Sequence, residues 1–231
     1  GCWFGGTWPV RARCARWSPP TLRSVLMPPH WSRRASPSND ARRPVVPARR
    51  RSPCSSSGSV PGWPSYVQPL PPAFAEADAT QVAPRLLNKW LSVRGTMARI
   101  TEVEAYTADD PASHSFRGRT SRNAAMFGPP GLWYVYFVYG MHHCLNLVTG
   151  PDGDGQAVLI RSVRIEGVDP RLTNGPGRLT KVIGIDLADN ATHAELFDDG
   201  VAPPPDAVTT PRIGITKAVE WPRRWLLPPA R

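Results

Sequence analysis

Three side chains in the run Arg99-Ile-Thr-Glu-Val-Glu-Ala-Tyr106 could do chemistry together. In an extended strand alternate side chains share a face. Glu102, Glu104 and Tyr106 therefore point one way, and Thr101, Val103 and Ala105 the other. Two carboxylates and a phenol on one face are groups that could handle a proton in a hydrolysis. The plainer reading is a half-solvated strand showing its polar face, and these three residues alone favour it.

The elements that would position them follow from spacing and punctuation. Apolar residues Val82, Leu86, Leu87 and Trp90 recur at helical intervals and predict a helix over Asp78–Leu91, with Pro84 forced into its first turn. Strands are expected at about Arg99–Tyr106, Leu132–Val138, Cys144–Thr149 and Gln156–Val163, separated by Gly131, Gly140 and the turn Pro151-Asp-Gly-Asp-Gly155. Pro176–Ile185 reads as a helix capped by Asn174, and Arg212–Ile215 as a late short strand. Helices around a mostly antiparallel sheet make an α+β domain.

The charge is unevenly placed. Residues 1–63 carry 11 Arg and one acid, Asp40, for +10, and residues 64–231 carry 17 basic and 17 acidic residues, for zero. The basic pI therefore says nothing about whether the folded part binds nucleic acid. The leader, rich in Arg, Pro and Ser, lacks an apolar period and is expected to be disordered. It reads either as a basic arm with non-specific phosphate affinity or as a cloning or gene-model artefact, which its five Trp favour. Residues 64–77 are expected as linker and 78–231 as the domain. Beginning with Gly rather than Met, the chain is expected to be a fragment or a processed product. Only Cys144 lies outside the leader, so no disulfide framework is expected, and no apolar run approaches the length of a membrane span.

Several further residues invite weighing. The run Leu132 to Tyr139 is apolar on both faces and reads as a core strand, but Tyr139 precedes Gly140 and belongs at a hairpin tip. Adjacent His142 and His143 would face opposite sides of a strand, and no other spacing suits a metal, so none is expected. The three lysines, Lys89, Lys181 and Lys217, lie outside the candidate motifs, so an amine nucleophile is not expected.

A series of ordered pieces gives this stretch a specific likeness. They are Ile100-Thr-Glu-Val-Glu-Ala-Tyr106, Asp110-Pro-Ala-Ser-His114, Arg117-Gly-Arg-Thr-Ser-Arg-Asn123 and Met126-Phe-Gly-Pro-Pro-Gly131. Tyr134-Val-Tyr-Phe-Val-Tyr-Gly-Met-His-His-Cys-Leu-Asn146, Ala157-Val-Leu-Ile-Arg161 and Asn174-Gly-Pro-Gly-Arg-Leu179 complete it. Together they resemble the alkyladenine (3-methyladenine) DNA glycosylase family, from about Leu86 to Trp225.

The resemblance implies a single α+β domain with a curved, mostly antiparallel sheet flanked by helices and a β-hairpin inserted into DNA. It implies base excision repair without a cofactor: an alkylated or deaminated purine is flipped out and its N-glycosidic bond hydrolysed, leaving an abasic site. Glu104 matches the catalytic acid-base residue. Tyr106, His114 and Tyr136 match the aromatic walls around the base, and Asn146 the residue at the purine's minor-groove edge. Tyr139 matches the wedge that fills the vacated stack and Arg161 a phosphate contact, while Arg117, Arg119 and Arg122 form a basic loop toward the DNA channel. Glu102 is expected as a solvent-facing charge. The partner is double-stranded DNA with damaged purines, met by a monomer with no membrane, in a bacterial cytoplasm or nucleoid or a eukaryotic nucleus.

Only six residues separate Gly167 from Asn174, where the family usually carries a longer segment, so the sheet is expected to lose cover there. Two other readings stand beside this one. A lesion-binding protein without turnover would share the motifs, and a nucleoside or glycoside hydrolase would use the Glu102/Glu104 pair.

Overall fold

Alternation of apolar and polar residues builds the centre of one sheet. β3 (Thr96–Tyr106), β4 (Trp133–Val138), β5 (His142–Thr149) and β6 (Gln156–Arg164) pair antiparallel in the order β3-β6-β5-β4. The computed structural model describes residues 66–228, so the expectation for residues 1–63 lies outside the described residues. On one face, Trp133, Val135, Leu145, Leu147, Val158, Ile160, Val103 and Ala105 join a single apolar core. Helices α1 (Ala79–Leu86) and α2 (Pro176–Ile183) cover that face through Val82, Leu86, Leu179 and Ile183. The opposite face holds Tyr134, Val148 and Ala157 with Met126, Tyr106 and Tyr136 packed beside them.

A bulge in β3 reconciles two demands. Register breaks between Ile100 and Glu102, and again at Val103. Ala98 and Ile100 therefore face the helix-covered core together with Val103 and Ala105, although an unbroken strand would put 100 and 103 on opposite faces.

β2 (Trp90–Val93) pairs with β3 through a two-residue turn at Arg94 and Gly95, both with positive φ, the geometry that matches strand twist in tight hairpins. β7 (Glu195–Asp198) pairs with β2, and β1 (Gln68–Pro69) with β7. β9 (Arg224–Leu226) pairs with the Glu102–Glu104 part of β3, and β8 (Val208–Thr210) pairs with β9.

Several expectations change. The first helix ends at Leu86, with Pro84 in its last turn rather than its first, and Trp90 belongs to β2. Proline withholds the N–H that the helix needs there, and Asn88 turns the chain away with φ 68°. The residues expected as linker enter the fold: Val67, Phe74 and Ala75 are buried. α2 is capped by Gly175 without a side-chain bond, not by Asn174. Arg212–Ile215 is a bend rather than a strand. The short segment after Gly167 forms a 3-10 turn, Pro170–Leu172, and the Thr173 hydroxyl donates to the Val163 carbonyl at 2.6 Å. Val163 and Thr173 are buried, so the strand end keeps its cover, and Leu172 is the one large hydrophobic side chain of the segment left exposed.

Candidate active site

The face of the sheet opposite the helices presents a polar row. Register aligns Glu104 with Leu159, Leu159 with Asn146, and Asn146 with Tyr134 across four strands. Beside this row Tyr136 pairs with Cys144. A cavity of about 560 Å³ opens over these residues, lined also by Tyr106, His114, Arg161, Tyr139 and the bend Ile213–Lys217.

Glu104 is fully buried beneath the cavity floor. The Tyr106 hydroxyl donates to its Oε2 at 2.9 Å and the Ile213 N–H to its Oε1 at 2.9 Å, while Arg161 Nη1 lies 3.2 Å from Oε1. All three neighbours line the cavity. A carboxylate accepts about four hydrogen bonds, and two are made here beside the Arg161 ion pair, so acceptor capacity remains. Burial, then the Glu104 carboxylate, push the Tyr106 phenol far above its ordinary range, which keeps it a donor.

Glu102 is not a solvent-facing charge. It is buried, and its Oε1 accepts from Arg161 Nε at 2.8 Å and Arg224 Nε at 2.6 Å. Charged side chains this deep persist when they are paired, and the three strands β3, β6 and β9 bring these together. Arg161 therefore rests on two carboxylates, and only its edge reaches the cavity expected to meet a phosphate.

The aromatic residues gather at one end. The His114 ring meets Tyr136 edge-on with centroids 4.5 Å apart, and its Nδ1 is 2.9 Å from the Tyr134 hydroxyl. His114 is exposed, but partial desolvation where it lines the cavity lowers its imidazole below the usual range and favours the neutral ring. Burial pushes the Tyr134 phenol up to about 12, so that hydroxyl stays protonated beside the imidazole. Asn146 is buried, with Nδ2 donating to the Tyr134 carbonyl at 2.9 Å.

Tyr139 stands on the β4–β5 turn, 81% exposed, with Met141 70% exposed beside it. Tyr139 and Gly140 both have positive φ, and the Met141 N–H closes the turn on the Val138 carbonyl at 3.3 Å. A tyrosine held in the left-handed region costs about 1–3 kcal/mol, and such strain is commonest where a residue has work to do.

Arg117, Arg119 and Arg122 are exposed and form no ion pair among the described residues. Their loop is knotted by Asn123, whose Nδ2 donates to the His114 and Gly118 carbonyls at 2.8 and 3.1 Å. Sequence reasoning missed Asn123, Tyr134 and the Ile213 N–H. The first two stood in quoted motifs, but a backbone donor leaves no side-chain signal.

Comparison with known proteins bears on the same residues. A family model described as methylpurine-DNA glycosylase matches residues 73–231. A protein of Burkholderia lata is 48% identical over 191 residues, covering 73% of this chain and 91% of its own length. One from Burkholderia cenocepacia is 47% identical over 188 residues, covering 72% and 90%. One from Methanoculleus marisnigri is 43% identical over 185 residues, covering 70% and 96%. Each bears the name "Putative 3-methyladenine DNA glycosylase".

Proposed function

The chain belongs to the methylpurine-DNA glycosylase family, a family of hydrolases acting on N-glycosyl bonds, and from that premise we propose how its site works. It turns an alkylated or deaminated purine nucleotide out of duplex DNA and hydrolyses its glycosidic bond, leaving an abasic site. The observation that carries this is Glu104, fully buried behind residues that line an aromatic-walled cavity, with two hydrogen-bond donors and the Arg161 guanidinium around it and acceptor capacity left.

A water admitted to the remaining acceptor capacity gives its proton to Glu104 as its oxygen attacks the anomeric carbon and the purine departs with the bonding pair. The carboxylate also faces the positive charge that builds on the sugar as the bond breaks. Tyr106, Tyr136 and His114 hold the flat base. Asn146 crowds the edge where guanine carries its exocyclic amine, which favours purines that lack it. Tyr139 fills the vacated stack. Arg117, Arg119 and Arg122, without an ion pair among the described residues, meet phosphates, and Arg161, which lines the cavity, meets the phosphate of the flipped nucleotide.

Hydrolysis by a pair of acids flanking a bond is disfavoured, because Glu102 and Glu104 both meet Arg161 on one strand face instead of flanking a bond. The test is base release from duplexes carrying hypoxanthine, 3-methyladenine, 7-methylguanine or ethenoadenine, with alkali cleavage reporting the abasic site. Release of at least one lesion from duplex, and none from free nucleosides, supports the reading. Tight lesion binding without release, or activity on nucleosides alone, contradicts it.

A further inference from the structure

The chemistry above makes no use of the most deeply buried ion pair in the fold. Arg212 and Asp110 have no exposed side-chain surface. The guanidinium meets both carboxylate oxygens, with Nη2 3.0 Å from Oδ1 and Nη1 closing on Oδ2. Burying two charges is unfavourable unless geometry and further bonds repay it, and an apolar pair is often as stable. A pair retained in this place therefore calls for a role beyond stability.

Its contacts define that role. Arg212 Nη1 also donates to the Ala105 carbonyl at 3.1 Å, in the residue between Glu104 and Tyr106. The guanidinium lies over the Tyr106 ring, 4.6 Å from its centroid. The next residue, Ile213, donates its N–H to Glu104. Both hydrogen-bond donors to Glu104 are thus set by one arginine, one through ring stacking and one through the chain. Asp110 in turn accepts from the Ala112 N–H at 2.9 Å and receives Ser113 N–H on its own carbonyl at 2.8 Å. That turn delivers His114 to the cavity. Arg223 braces the pair, bonding the Thr107 hydroxyl at 2.6 Å and approaching Asp110 Oδ2 at 3.5 Å.

We infer that Arg212, held by Asp110, is a positioning residue that fixes the Tyr106 hydroxyl and the Ile213 N–H against Glu104. The inference rests on the glycosylase reading above. Lysine at 212 would keep the charge but could not reach both Asp110 oxygens and the Ala105 carbonyl while covering the Tyr106 ring. Asparagine at 110 would keep the shape and the Ala112 bond but release the fork.

The experiment uses the full chain and a duplex carrying whichever of the four lesions the parent releases, in single-turnover release at rising enzyme concentration with a thermal melt of each variant. R212K and D110N are expected to lower the saturating rate by about 10- to 100-fold, the range for a misaligned catalytic group, with half-saturation shifted less than about threefold. The second readout is coupling: Y106F should cost little further in the R212K background, since the route through that hydroxyl is already lost. Folded variants within about threefold of the parent rate would overturn the proposal, as would fully multiplicative effects of R212K and Y106F. If neither R212K nor D110N folds, the pair is structural and the proposal falls. Failure of the parent to release any base would instead sink the glycosylase reading.

Discussion

Glu102 and Glu104 stand two positions apart on one strand face, yet their surroundings divide the labour between them. Glu102 is paired with two guanidiniums and lies outside the cavity lining, whereas the partners of Glu104, namely Tyr106, Ile213 and Arg161, all line it. Tyr139 is the other residue with a separable role. It packs into no core and is 81% exposed, so Tyr139→Ala should leave the melt within a few degrees of the parent. It should slow release most on well-paired duplex and least on a mismatched lesion, where unstacking is cheaper. A large fall in melting with an unchanged paired-to-mismatched ratio would place Tyr139 in the packing instead. His114 carries a pH signature. Although the residue is exposed, partial desolvation depresses its folded-state value, so below about pH 6.5 the unfolded chain takes up a proton that the folded chain resists, an effect that solvent exposure keeps small. That penalty grows as pH falls from the unfolded value toward the folded one and is absent above both. The parent should therefore lose more melting temperature between about pH 7.5 and pH 5 than His114→Gln does. Equal losses would contradict the assignment.

At the level of elements, the hairpin carrying Tyr139 is seated on α2. The Thr180 hydroxyl donates to the His143 carbonyl at 2.9 Å, and a Cβ at Gly177 would come within 2.8 Å of the His142 ring. Gly177→Ala should push the root of the hairpin outward and slow release on paired duplex by roughly tenfold, as misplacement does, with a smaller loss on a mismatched lesion. An equal loss on both substrates would separate the seat from the wedge. These central elements were legible beforehand. β3 to β6 announced themselves because alternating residues face a core on one side and a site on the other. The outer strands were not, because three- or four-residue strands such as β8 and β9 are too short to show a period. Trp90 kept helical spacing with Leu86 and so concealed β2. Arg212 was equally hidden: arginine is expected at the surface, and only the fold brings it to Asp110, 102 residues away. The bulge at Glu102 had no sequence signal, although it lets Ile100 and Val103 share the core.

At the scale of the molecule, charge and site are separated along the chain. Residues 1–63 hold all of the net +10, and residues 64–231 sum to zero. Removing residues 1–63 should leave the saturating rate of release unchanged and flatten the salt dependence of DNA binding, since each neutralised phosphate contributes about 0.9 to that slope. Identical slopes would mean that those arginines never meet DNA. Within the described residues the sheet register, the bend at Ile213 and the hairpin all converge on one carboxylate. The most direct test of that convergence is single-turnover base release by the full-length parent and Glu104→Gln on the same lesion duplex, with binding measured alongside. The amide keeps the shape but cannot take the water's proton, so binding should persist while the rate falls by about 10²- to 10⁴-fold. A Glu104→Gln rate within a few-fold of the parent would contradict the central claim.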